Sequence, residues 1–191
     1  MSEVKPIIIG VTGLPAAGKG LFSDIAKQKG FEIIVMGDVI REEVKKRGLS
    51  VTRENSNKVM IDLRKEYGPA VVAIKTIPYI EEALKNGKKK ILVDGLRSMH
   101  ELKVFKKHYP SFEVISIHCP PKIRYQRILE RHRNDDSKTW EAFEKRDKLE
   151  LSVGLGDLIA LSDYMISNTY QIEQAKQVFN EVIDDVIKRL G

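Results

Sequence analysis

The stretch GLPAAGKG at residues 13–20 restricts this chain more than any other segment. An apolar run, PIIIGVT (6–12), leads into it, and the helical pattern GKGLFSDIAKQ leads out, closed by Gly30. Gly13, Gly18 and Lys19 stand at the spacing G-x-x-x-x-G-K. A loop so placed turns its backbone N–H groups inward, and the helix N-terminus behind it adds partial positive charge. The pattern predicts a cradle for phosphate formed by Gly13, Leu14, Pro15, Ala16, Ala17, Gly18, Lys19, Gly20 and Leu21. Lys19 would reach the β- and γ-phosphates of a nucleotide. The next position normally holds Ser or Thr, whose hydroxyl binds magnesium; here it is Gly20. Magnesium must then be held by phosphates, water and a carboxylate elsewhere. Asp94, at the end of KKILVD, is the candidate, acting through water; a helix cap or turn before GLRSMHE is its alternative role.

The rest of the chain alternates short β-branched runs with helical patterns. Strands are predicted at 6–12, 31–36, 89–94, 112–119 and 164–168, several of them continuously apolar, as in parallel strands buried on both faces. Helices are predicted near 18–29, 38–48, 54–67, 69–86, 98–107, 121–133, 137–152 and 171–189. This alternation predicts an α/β fold, a three-layer sandwich with a five-stranded parallel sheet, in one domain spanning 1–191. Ligands of such sheets bind outside the carboxyl ends of the strands. Gly13, the Gly37-Asp38 pair and the Asp94-Gly95 pair all fall there. Residues 38–86 exceed the needs of a crossover and read as a helical acceptor-binding insert. Residues 121–156 form a second helical excursion, rich in arginine.

Composition narrows the setting. No apolar run among the 191 residues approaches the ~20 needed to cross a membrane, and MSEVKP does not open like an export signal. Cys119 is the only cysteine, which excludes an internal disulfide and fits a reducing cytoplasm. The net charge of +6 suits phosphorylated ligands and keeps RNA open as a partner. The histidines, His100, His108, His118 and His132, show no metal-ligand spacing. Cys119 reads as a buried inert thiol, and Trp140 as a packing residue.

In IRYQRILERHRNDD, Arg124, Arg127 and Arg131 share one helical face, at i, i+3 and i+7. Arginines so grouped can clamp a transferring phosphoryl group, or simply form a solvated stripe. Asp38 is a candidate for the acceptor side or for the N-cap of the helix starting VIREEV. Arg41, one turn in, is the better candidate for a substrate phosphate, with Arg64 in DLRKEYG a looser one. Asn168, just past the last strand, is a candidate for the adenine base or for a turn.

The order G-x-P-x-x-G-K-G resembles the loop of adenylate kinases and related nucleoside monophosphate kinases. MGDVIREEVKKRG (36–48) is similar to the start of their acceptor-binding helix, VDGLRS (93–98) to their D-G-F-P-R stretch, and RILERHRNDD (127–136) to their lid arginines. The resemblance implies acceptor contacts by Arg41 and Arg97, magnesium positioning by Asp94, and charge compensation by Arg127, Arg131, Arg133 and Arg146. The tail SDYMISN is similar to the A-D-x-x-I-x-N of dephospho-CoA kinases. End to end, PPKIRYQRILERHRNDDSK and GLGDLIALSDYMISN resemble small archaeal P-loop proteins described as adenylate-kinase-related or dephospho-CoA-kinase-like. Departures from the kinase pattern are Ala16 for Gly, Leu21 for Thr, the missing Pro before Arg97, and a lid so reduced that Arg131 and Asp135 stand only four positions apart. What the resemblance implies is an ATP- and magnesium-dependent kinase acting on a phosphorylated or nucleotide-like small molecule. A dephospho-CoA kinase, or a nucleotide-gated RNA-binding ATPase, is the alternative. Neither the acceptor nor the oligomeric state is specified by these residues.

Overall fold

The structure, a computed structural model, describes residues 5–131 and 139–191. Five strands, β1 (Ile7–Thr12), β2 (Glu32–Val35), β3 (Lys90–Leu96), β4 (Glu113–His118) and β5 (Tyr164–Ser167), form one sheet in the order β2-β3-β1-β4-β5. All pairings are parallel. The described helices are α1 (Lys19–Gln28), α2 (Met36–Lys46), α3 (Arg53–Tyr67), α4 (Val71–Lys85), α5 (Met99–His108), α6 (Pro121–Arg131), α7 (Trp140–Ser152), α8 (Leu155–Ala160) and α9 (Ile172–Leu190).

Side-chain alternation along the central strands divides the interior into two cores. Ile7, Ile9, Val11, Leu92, Ile115 and Ile117 pack on α1 and α9, where Phe22 meets Phe179 edge to face at 5.4 Å. Ile8, Ile91, Val93 and Val114 face the other way, toward α2–α5 and α8. Every residue of β1 is buried, so this strand delivers the loop after it to the middle of the sheet's carboxyl edge. That arrangement is the three-layer α/β sandwich with a five-stranded parallel sheet expected above.

Two details of the fold differ from expectation, and the first bears on the site. Strand β3 does not stop at Asp94 but continues to Leu96. The register with β1 jumps from Val11↔Asp94 to Thr12↔Leu96, leaving Gly95 as an extra residue at φ +102°. This bulge needs a left-handed residue, and glycine supplies it at little steric cost. The Thr12 hydroxyl donates to the Leu96 carbonyl at 2.7 Å and closes the ladder beyond it. Second, α8 was not foreseen: LGDLIA is too short for a clear helical period, yet it buries Leu155, Leu158 and Ile159.

Two of the three glycines in the loop region carry opposite steric demands. A Cβ at Gly13, already at φ +148°, would lie 2.4 Å from the Ile117 carbonyl oxygen, whereas a Cβ at Gly20 would meet nothing within 4 Å. Gly13→Ala should therefore lower unfolding free energy by about 2–5 kcal/mol. Gly20→Ala, in the first turn of α1, should leave it unchanged or raise it by up to about 1 kcal/mol. Urea unfolding midpoints test the pair; a wild-type midpoint for Gly13→Ala would refute the close approach.

Candidate active site

The loop after β1 is held by its carbonyl oxygens. Arg124 Nη1 donates to Pro15 O at 3.2 Å, and Asn168 Nδ2 donates to Ala17 O at 2.7 Å. Lys19 Nζ folds back onto Gly13 O at 2.6 Å and Leu14 O at 3.3 Å. Leu14 packs against one core and Leu21 against the other, so the loop straddles the sheet edge. Gly18 sits in the left-handed region at φ 119°, as does Ala16 at φ 63°. Ala16 is the position where the resembling kinases carry glycine. A non-glycine residue there stores roughly 1–2 kcal/mol of backbone strain.

In front of the loop lies an open cleft of about 700 Å³. Its wall brings together Lys19, Gly20, Asp94, Arg127, Arg131 and Arg146. The expected phosphate loop, carboxylate and arginines thus meet in one place. Ser23, one turn along α1, is buried and donates its hydroxyl to Asp94 Oδ2 at 2.9 Å. Arg127 spans the mouth, donating through Nη2 to the carbonyls of Asn168 (3.2 Å) and Tyr170 (3.3 Å). Ile172, 60% exposed, adds an apolar edge to the same cleft.

No cluster of three or more His, Cys, Asp or Glu with metal-binding geometry occurs among the described residues. A magnesium site here would rest on Asp94 together with nucleotide phosphates and water. That donor set suits magnesium, which keeps much of its hydration and takes only one or two carboxylates. The loop likewise suits a polyphosphate: its carbonyls are occupied from behind, and its lysine stands at the cleft floor.

A second groove, about 360 Å³, is lined by Arg41, Arg53, Arg97, Arg146 and Glu150, among others. Arg146 is common to this groove and to the cleft in front of the loop. Arg97 Nη1 pairs with Glu150 at 3.0 Å, and Arg41 pairs with Asp38.

Several expectations need correction. Asp38 does not cap α2: that helix starts earlier, at Met36 after Val35, and Asp38 lies in its first turn, bonded to Arg41 Nε at 2.7 Å. The apolar Met36 prefers burial under the sheet edge, which draws the helix start forward. Asn168 is 2% exposed beneath the loop, so it braces Ala17 and Gly18 from behind and does not offer its amide to a base. Arg124, grouped above with the cleft arginines, is buried. It donates to Cys119 O at 2.9 Å, forms a two-pronged pair with Asp147, and lies over the Phe143 ring at 4.9 Å. Arg133, with Asp135 and Asp136, lies outside the described residues. Ser23, Asp147, Glu150 and Ile172 were not singled out. Ser23 alone carried a legible signal, standing four positions after Lys19, one helical turn along the same face.

Sheet order, loop and cleft together define a P-loop kinase-like fold. Residues 12–144 match the AAA domain family. The chain is 40% identical over 184 residues to a UPF0200 protein of Methanocaldococcus jannaschii, covering 96% of this chain and 92% of that one. It is 42% identical over 186 residues to a UPF0200 protein of Pyrococcus abyssi, covering 96% and 97%. This chain belongs to the UPF0200 family. Among solved structures, dephospho-CoA kinase from Campylobacter jejuni superposes with a TM-score of 0.60 at 17% identity, covering 95% of this chain and 97% of that one. Shikimate kinase from Bacteroides thetaiotaomicron gives 0.56 at 15% identity, covering 93% and 98%. No described helix is long and apolar enough to cross a membrane.

Burial pulls the Lys19 ammonium down to about 8, with Arg97 and Arg146 pushing the same way against Asp94 and Glu150. A phosphate ligand favours the charged form, so anion binding draws a proton onto Lys19 above that pH. The dissociation constant of a non-hydrolysable ATP analogue should be flat below pH 8 and rise by up to about tenfold per pH unit above it. Calorimetry between pH 7.5 and 9.5 reads this directly. Lys19→Arg, which does not titrate there, should flatten the profile; a flat wild-type profile would count against a lysine on the phosphates.

Proposed function

We propose that this protein is an ATP-binding small-molecule kinase of the nucleoside-monophosphate-kinase type. It would transfer the γ-phosphoryl group of ATP to a phosphorylated or nucleotide-like acceptor. The observation that carries the reading is Arg146, whose side chain borders both the phosphate cleft and the groove of Arg41 and Arg97. One cation shared by two adjoining sites is what a group passing between them requires.

On this reading, residues 13–21 hold the ATP phosphates and Lys19 leaves its loop carbonyls for the β- and γ-phosphates. Arg127, Arg131, Arg133 and Arg146 offset charge on the phosphoryl oxygens as the acceptor oxygen bonds to phosphorus and the bond to the β-phosphate breaks. Asp94, oriented by Ser23, holds magnesium through water. Bound magnesium would supply charge screening across the phosphates. Helices α2–α4, which cover the insert expected at 38–86 and begin two residues before it, form the acceptor side of a single domain, with Arg41 and Arg97 on the acceptor. Both arginines would exchange a carboxylate partner for substrate. Such catalysis is positioning and electrostatics and needs no covalent nucleophile.

Labelled ATP offered with AMP, other nucleoside monophosphates and dephospho-CoA tests the reading. Transfer to one of these panel members is expected, and it should fall at least about 10²-fold in Lys19→Ala and in Asp94→Asn with folding intact. Unchanged transfer in Lys19→Ala would overturn the assignment. Acceptor-independent hydrolysis accompanied by salt-sensitive RNA retention would favour the RNA-binding ATPase instead.

A further inference from the structure

Adjoining the acceptor groove lies a smaller cavity of about 100 Å³. It shares Arg41, Ser56, Asn57 and Arg97 with the groove and adds Arg64 and Glu101 to the wall. Met36, Ile40, Met60 and Val72 supply its apolar side. The cavity therefore presents three arginines against one carboxylate.

That carboxylate is already engaged. Glu101, 1% exposed, accepts from Arg64 Nη2 at 2.8 Å through Oε1 and from the Arg97 backbone N–H at 2.7 Å through Oε2. The pair holds the Arg64 guanidinium in one orientation. Its other terminal nitrogen, Nη1, is buried and has no hydrogen-bond partner among the described residues. A buried charged donor left unmade is costly, and a simple ion pair to Glu101 would need only a lysine. The fork of an arginine is used fully only if a second acceptor arrives.

We infer that this cavity is an oxyanion subsite, taking one carboxylate or phosphate group of a small molecule, with Arg64 as a binding residue and Glu101 as its positioning residue. Its volume admits a headgroup and not a base with its ribose, since whole-ligand pockets run to roughly 300 Å³ or more. The body of the ligand would extend into the groove toward Arg146. Naming that ligand as the phosphoryl acceptor rests on the kinase reading; binding of the anion does not.

The test is calorimetric titration of inorganic phosphate and, separately, malonate into the full chain saturated with a non-hydrolysable ATP analogue and magnesium. Saturable binding of one or both at a single site is expected, and the preferred anion identifies the headgroup. Arg64→Lys keeps a cation beside Glu101 but lacks the second nitrogen, and should weaken anion binding about tenfold or more with ATP-analogue affinity unchanged. Asn57→Asp, isosteric and apart from the Arg64–Glu101 pair, adds a carboxylate to the wall. It should weaken anion binding at least as much, and it decides the matter if Arg64→Lys fails to fold. Absence of saturable anion binding, or wild-type binding in Asn57→Asp, would overturn the subsite. If the wild type does not bind the ATP analogue, the kinase reading falls. The same anion titration without analogue then still decides the cavity, by its loss or persistence in Asn57→Asp.

Discussion

A loop that aims its N–H groups at a ligand must point its carbonyls into the protein, and those carbonyls must be satisfied there. This requirement organises the whole carboxyl edge of the sheet. Arg124 from α6 answers Pro15, and Asn168 from the end of β5 answers Ala17. Asn168 is itself fixed by its backbone N–H to His118 O at 2.7 Å, so the loop is tied to β4 and β5 at once. Gly13 and Gly18 lack side chains because Ile117 O and the Asn168 amide occupy the space a Cβ would take. The glycine spacing is the imprint of this close approach on the sequence.

Helix α7 extends that scaffold from the cleft in front of the loop to the groove of Arg41 and Arg97. Asp147 holds Arg124, and through it the loop; Glu150, one turn on, holds Arg97; Arg146, immediately before Asp147, borders both spaces. Trp140 and Phe143 pack with Tyr125 of α6, which secures the helix at its start. Removing one member of a buried pair such as Arg124–Asp147 typically costs about 3–5 kcal/mol, because the other charge is stranded. Any shift of α7 must therefore move the loop brace and Arg97 together.

The strands and the loop were legible because each follows from local rules: burial on both faces dictates continuous apolar runs, and close backbone approach dictates glycine. The arginines were legible as a group but not individually. Arg124, Arg127 and Arg131 share one helical face by count, yet only long-range partners decide that Arg124 turns inward to Asp147 and Arg127 turns to the carbonyls of Asn168 and Tyr170. The same holds for Asn168, whose position after a strand suits a turn, a ligand or a brace equally. Its role depends on Ala17, 151 positions away. The bulge at Gly95 was hidden for another reason: a glycine after an aspartate reads as a strand end, and only the register with β1 shows the strand continuing.

The glycine after Lys19 takes on a different meaning in this light. Nothing within 4 Å would obstruct a side chain at Gly20, so the missing hydroxyl is not a steric concession. A hydroxyl does occur one turn further along α1, at Ser23, but it donates to Asp94 and is buried. On the proposed reading, the usual division of labour is rearranged: serine fixes the carboxylate, and the carboxylate with water holds the metal. The Gly95 bulge follows Asp94 directly, and bulges beside functional sites re-aim the neighbouring side chain. Ser23 and the bulge thus act on the same residue, one through its carboxylate and the other through its backbone. Orientation of a single carboxylate is the feature on which metal use by this loop would turn.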